Sequence, residues 1–182
     1  VPGSHNLQNA KAALVVAKAI NIKEQKAQEL LKKYAGTWRR FEYKGKTKSD
    51  VLIYDDYAHH PSEVQATIKA AREKFSKQKI FVVFQPHLYS RTKFLLNDFA
   101  KSFNYADNVI ITDIYAAREK KDKSIHAKDL VDKIRKFNSS VCYIKDFKDI
   151  VKYLKKSTRK GDIIITMGAG DVYKVGEKLI VK

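Results

Sequence analysis

Four polar clusters carry the residue types that proton transfer and anion binding need. The first is Asp55-Asp56-Tyr57-Ala58-His59-His60-Pro61. The second, Gln85-Pro86-His87-Leu88-Tyr89-Ser90-Arg91-Thr92, sets a guanidinium four residues after a histidine. Asp113-Ile114-Tyr115 and Gly168-Ala169-Gly170-Asp171 are the third and fourth. Histidine exchanges protons near neutral pH, and the planar fork of arginine holds a carboxylate or phosphate by two bonds. Each cluster also has a plainer explanation. Asp55 and Asp56 could cap a helix opened by Pro61. His59 and His60 are adjacent and do not face each other on a regular element, so a shared metal is not expected. Gly168-Ala169-Gly170 is half of a dinucleotide fingerprint, with Tyr173 where the third glycine belongs. Tight turn geometry is its commoner cause, although its N–H groups could face an anion at a helix start. Arg91 could pair with a surface carboxylate. Asn6 and Asn9, at i and i+3, share a helix face and could serve as surface or capping residues, or hydrogen-bond the edge of a heterocycle.

The elements between the clusters decide whether they meet. Short apolar runs at Val51–Ile53, Ile80–Phe84, Val109–Ile111, Val141–Ile144 and Ile163–Ile165 alternate with amphipathic segments. Several are apolar on consecutive residues, as in strands buried on both faces of a parallel sheet. Val64, Ile68, Ala71 and Phe75 form one helical stripe behind Pro61. Phe147, Ile150, Val151 and Leu154 form another, with Asp146 as its expected N-cap. Phe41–Tyr43 and Val51–Tyr54 read as strands joined by a Gly/Lys/Ser turn. Before them, two helices are expected, one carrying Leu7, Ala10, Ala13, Leu14, Ala17 and Ile20, the other spanning about Lys23 to Lys33. The expected fold is α/β, a Rossmann-like open and mostly parallel sheet with helices on both faces, preceded by a short helical piece. In such a sheet all four clusters follow strand C-termini, where ligands bind.

The whole composition narrows the partners. The 182 residues include 37 Lys+Arg against 20 Asp+Glu, a formal charge of +17 that invites an anionic partner. Most of the basic residues are lysines scattered on helix faces, which are usually solvated, and no nucleic-acid signature accompanies them. No specific nucleic-acid partner is expected. Cys142 is the one cysteine, so an internal disulfide is excluded and a cysteine zinc site is not expected. No apolar run reaches the roughly 18 residues of a membrane span.

The clusters occur in a telling order. Gly3-Ser4-His5-Asn6-Leu7-Gln8-Asn9, Arg39-Arg40-Phe41-Glu42, the Asp55–Pro61 and Phe84–Thr92 stretches, Asp113-Ile114-Tyr115-Ala116-Ala117-Arg118-Glu119 and Gly168–Asp171 follow one another. Together they resemble the C-terminal part of the Mur ligases, and among them the branch that adds L-alanine to UDP-N-acetylmuramate. The resemblance implies ATP-dependent amide formation through an acyl phosphate, in peptidoglycan precursor synthesis in the cytoplasm. It implies that residues 1–35 end a central ATP-binding domain and that 36–182 form the C-terminal domain. The family's Gly-Lys-[Ser/Thr] phosphate loop and its central magnesium ligands are not in this sequence. The resemblance thus implies a fragment, inactive alone and holding neither ATP nor Mg2+ tightly, that needs its central and N-terminal domains.

Carried over by motif, His5, Asn6 and Asn9 would meet the adenine. Arg40 would meet the phosphates and Asp56 the ribose or the phosphate network. Tyr57, His59, His87 and Arg91 would line the amino-acid region, with His59, His87 and Arg91 as the catalytic set. Which histidine handles the proton stays open. Leu88 stands where many relatives carry Arg, and Ala58 where Gly is common. Two other readings compete: the recycling branch that attaches a whole tripeptide, and a non-catalytic basic α/β binding module.

Overall fold

The structure is a computed structural model that describes residues 3–34 and 36–180, with the side chains of Ser4 and His5 left out. The expectation for His5 therefore lies outside what is described. Two helices open the chain, α1 (Ser4–Ala19) and α2 (Glu24–Lys33). Then follow β1 (Glu42–Lys46), β2 (Leu52–Asp56), α3 (Pro61–Lys74), β3 (Ile80–Phe84), α4 (Tyr89–Phe94) and α5 (Leu96–Lys101). The chain ends with β4 (Asn108–Ile111), α6 (Ala127–Ile134), β5 (Val141–Tyr143), α7 (Phe147–Ser157), β6 (Ile163–Met167) and α8 (Tyr173–Glu177).

The six strands are ordered β1-β2-β6-β3-β4-β5. All neighbours are parallel except β1, which pairs with β2 as an antiparallel edge hairpin. β6 thus returns to fill the slot between β2 and β3. Its residues 163–167 bond on both sides, to 52–56 of β2 and 80–84 of β3. All five residues of β3 and of β6 are buried. That is why these segments read as unbroken apolar runs rather than as alternation.

Side chains alternate between two cores. Tyr54, Val82, Phe84, Ile111 and Ile165 point to one face, where they meet Val64 and Ile68 of α3, Phe99 of α5 and Leu130 of α6. Ile53, Phe81, Val83, Ile110 and Ile164 point to the other, against Ile150 and Leu154 of α7 and Val175 of α8. Each fully buried large side chain contributes about 1.5–3 kcal/mol, so the two-sided cover is what holds the sheet. The expected α/β sandwich is present.

Two local expectations are corrected. Asp146 occupies the N-cap position of α7, but its side chain makes no cap hydrogen bond. Neither Asp55 nor Asp56 caps α3. That cap is His60, whose ring nitrogen accepts from the Ser62 N–H while Glu63 returns a bond to the His60 N–H at 3.2 Å. Both aspartates are drawn elsewhere, by the partners described below.

The helical pair at the start differs in kind. Ala27 is its one buried residue among those described, whereas Leu7, Val15, Val16 and Ile20 are all about 60% exposed or more. The helix α1 forms where the spacing predicts one, but of its expected stripe only Ala10, Leu14 and Ala17 gain partial cover within this chain.

Candidate functional site

The clusters meet at the C-terminal edge of β2, β6 and β3. The strongest anchor there is Arg39, which is 3% exposed. Its Nε donates to Asp55 at 2.6 Å, and its two terminal nitrogens donate to the carbonyls of Gly168 at 2.6 Å and Gly170 at 3.1 Å. The guanidinium also lies about 5 Å from the rings of Tyr57 and Tyr173. Asp55 accepts a further bond from the Thr166 hydroxyl at 2.6 Å. Breaking such a buried pair costs about 3–5 kcal/mol, so Arg39 and Asp55 are committed to joining β2 with the loop after β6. The carbonyls of Gly168 and Gly170 thereby go to a guanidinium, and the Gly168 N–H donates to the Asp56 carbonyl at 3.1 Å. Gly168 and Gly170 serve close packing: an added Cβ would stand 2.7 Å from the Gln85 carbonyl oxygen in the first case and 2.9 Å from Tyr115 Cγ in the second.

Asp56 is held one residue on. Its two carboxylate oxygens accept the N–H groups of Phe41 at 2.8 Å and Ala58 at 2.7 Å. Burial pushes its carboxyl above the usual range, against these two bonds and nearby Arg40, which all pull it down. Arg39 and Phe41 both take left-handed backbone angles, φ 52° and 48°. Such angles cost on the order of 1–3 kcal/mol in a non-glycine residue. The Arg39 bonds and the Asp56–Phe41 bond hold the turn, and the residue between them, Arg40, is left exposed.

Arg40 faces a cavity of about 530 Å³ that Asn6, Asn9, Tyr34, Asp56 and Glu63 also line. The volume lies in the range of small-molecule sites. The lining suits a nucleotide: carboxamides able both to donate and to accept, and one exposed cation. Asn6, Asn9, Arg40 and Asp56 are thus brought together as expected. Among the described residues, no three His, Cys, Asp or Glu side chains gather into a metal cage.

The second group adjoins the first through Tyr57. Its ring is 5.9 Å from the Arg40 guanidinium and meets His59 edge-on at 5.3 Å between centroids. His59 in turn meets His87 at 5.9 Å. His87 stacks on Tyr115 at 5.8 Å, and its Nδ1 lies 3.3 Å from a terminal nitrogen of Arg91. Tyr57, His59, His87 and Arg91 therefore form one contiguous row. The ion pairs found among the described residues do not include Arg91, so the surface-pair explanation lapses.

Hydrogen bonding separates the two histidines. The Nδ1 of His59 lies 2.9 Å from the Tyr57 carbonyl, which can only accept. That nitrogen carries a proton, so Nε2 is the position at which His59 can gain or lose one. A guanidinium only donates, so the Nδ1 of His87 is the acceptor and its proton sits on Nε2. Burial first, and then the Arg91 charge, hold His87 below its ordinary value of 6.5. The row thus presents one imidazole open to proton exchange at Nε2, one that donates from Nε2, and one fixed cation.

Three contributors lie within the quoted motifs but have no role assigned from sequence. Arg39 is identical in type to its neighbour and carries no signal of its own. Gln85 is buried, where it donates to Asp171 and accepts from the Val172 N–H, both at 3.2 Å. Glu119 accepts from Ser90 across 29 positions of sequence. Leu88 is 8% exposed and has φ 70°.

Comparison with known proteins places the chain in a family. Residues 39–170 match the Mur ligase, glutamate ligase domain. The UDP-N-acetylmuramate–L-alanine ligases of Caldanaerobacter subterraneus subsp. tengcongensis and Acetivibrio thermocellus are 52% and 51% identical over 180 residues. Each alignment takes in 99% of this chain, which spans 39% and 38% of those relatives' length. The crystal structure of the UDP-N-acetylmuramate-alanine ligase MurC of Thermotoga maritima superimposes with a TM-score of 0.82 at 26% identity, covering 98% of this chain and 37% of that one. A domain match over most of the chain shows that this chain belongs to the Mur ligase family.

Proposed function

We propose that this chain is the C-terminal part of an ATP-dependent ligase that joins L-alanine to UDP-N-acetylmuramate in the cytoplasm. The observation that carries the reading is the junction of two groups at one strand edge. A nucleotide-sized pocket bearing Asn6, Asn9, Arg40 and Asp56 meets the row Tyr57, His59, His87 and Arg91 through one shared tyrosine. The relatives of about 50% identity carry the alanine-adding name, which favours alanine over a tripeptide as the amine.

ATP, accompanied by Mg2+, supplies the phosphoryl group that activates the sugar's carboxylate. Asn6 and Asn9 bind the purine edge, and Arg40 lies on the phosphate side. Asp56, its oxygens already accepting two N–H groups, holds the turn that presents Arg40 and borders the ribose. The remaining residues handle the amine. Arg91 takes the alanine carboxylate by its planar fork. His59 Nε2 accepts the proton lost by the ammonium group, and His87 Nε2–H donates to the oxygen that gains charge. Tyr57 separates the nucleotide from the amine. On this reading the phosphate loop and magnesium ligands, which this sequence lacks, come from the rest of the full-length protein.

The test uses the full-length protein with UDP-N-acetylmuramate, ATP, Mg2+ and either L-alanine or the tripeptide. Phosphate release with alanine, reduced strongly by Arg40→Ala and by His59→Ala, is the expected result. Release with the tripeptide alone, or none with either amine, would overturn it.

A further inference from the structure

The segment between β4 and α6 holds no helix or strand beyond a single bridge at Tyr115, yet it is tied firmly to α4. The Leu88 N–H donates to the Tyr115 carbonyl at 2.9 Å, and the Tyr115 N–H donates to the Pro86 carbonyl at 2.8 Å. Lys93 donates to the Ser124 hydroxyl at 2.8 Å. The most specific tie is Glu119. One of its oxygens accepts the Ser90 N–H at 3.1 Å, and the other accepts the Ser90 hydroxyl.

These bonds answer a defect in α4. The helix has six residues and starts from Leu88, which has no side chain able to cap and stands at φ 70°. The N–H groups of a first turn have no partner inside the helix, and a carboxylate there also meets the favourable end of the helix dipole. The Ser90 N–H is one of these donors. Glu119 supplies, from 29 positions away, the cap that a local Ser, Thr or Asp supplies elsewhere. The Ser90 hydroxyl bond, first among several, keeps the Glu119 carboxyl below its usual range, so the cap stays charged. The next residue along the helix is Arg91, and Arg91 touches His87.

We propose that Glu119 is a positioning residue: by capping α4 it fixes Arg91, and through Arg91 it fixes His87, for the amino-acid substrate. The inference rests on the preceding reading that Arg91 receives the carboxylate of that substrate.

The experiment compares Glu119→Ala, Glu119→Gln, Arg91→Ala and the Glu119→Ala/Arg91→Ala double variant in the full-length enzyme. Glu119→Ala is expected to raise the KM for alanine by between about tenfold and about a hundredfold, the cost of a misplacement of roughly 1 Å. The KM for ATP should stay the same. Glu119→Gln, which keeps a carbonyl oxygen for the Ser90 N–H, should recover part of the loss. The double variant should be no worse for alanine than Arg91→Ala alone, because both changes act through one guanidinium. An unchanged alanine KM in Glu119→Ala would overturn the proposal. So would equal rises for alanine and ATP, or additive losses in the double variant. Failure of the underlying reading looks different: Arg91→Ala itself would then leave the alanine KM untouched.

A readout on the 182-residue chain needs no turnover. The His87 ring signals in an NMR spectrum should move in Glu119→Ala and return partway in Glu119→Gln. Static His87 signals would count against the proposal.

Discussion

Arg39 and Arg40 are chemically identical neighbours with opposite fates. One is sealed under the sheet edge against Asp55 and two carbonyls, and the other faces the cavity. Nothing in the sequence separates them, because the difference lies in the left-handed turn that Arg39 and Phe41 adopt around Arg40. The histidines are similar. Their types and places were legible, but the difference between their Nε2 positions came only from the Tyr57 carbonyl and the Arg91 guanidinium. His87 gives a prediction at this scale. Its proton affinity is lowered in the fold, so between the lowered value and about 6.5 the unfolded chain holds more protons than the native one. Stability is therefore complete above pH 6.5 and declines as pH falls through that window. An NMR titration should find the His87 midpoint below 6.5. Arg91→Ala should move it upward by removing the nearest positive charge, while burial keeps it short of 6.5. A midpoint at 6.5 in the parent chain would contradict the buried, arginine-facing placement.

At the scale of elements, the strands were readable because β3 and β6 are covered on both faces and show it as continuous apolar runs. The caps were not. Aspartate is the common N-cap, yet Asp55 and Asp56 serve Arg39, Phe41 and Ala58, and His60 does the capping of α3. The cap of α4 comes from another loop, which no local pattern can announce. The glycines after β6 also gain their meaning only from what packs on them. Gly170 sits against Gln85 and Tyr115 and has no room for a methyl group. Gly170→Ala should destabilise the chain by about 1–3 kcal/mol through overpacking. For a chain of this length that is a fall of roughly 2–12 °C in Tm, measurable by calorimetry. A methyl group accepted without loss would mean that the loop can retreat from Gln85, contrary to the close packing described.

For the whole molecule, we propose that the boundary between two structural units lies between residues 35 and 36, with the helical pair on one side and the sheet on the other. α1 and α2 pack mainly on each other and leave Val15, Val16 and Ile20 exposed, whereas the sheet holds two closed cores. Such exposed apolar stripes commonly mark contact surfaces. Brief trypsin treatment should cut first at Lys32 or Lys33, which are exposed, and should spare Arg39, which is buried. Mass spectrometry should then find a surviving fragment that begins near Tyr34 and runs through the sheet. A first cut inside the sheet would place the boundary elsewhere.

The Arg39 clasp also has a mechanical side. The connection leaving α2 at Lys33 ends after a handful of residues at a side chain riveted to the rim of β2 and β6. The sheet edge thus holds the chain at Arg39, and Arg40 sits one residue beyond it. A rotation of the pair would sweep Asn6 and Asn9 across the cavity mouth while Arg40, next to that anchor, hardly travels. Such a turn would bring the two carboxamides toward a guanidinium that stays still, or carry them away from it.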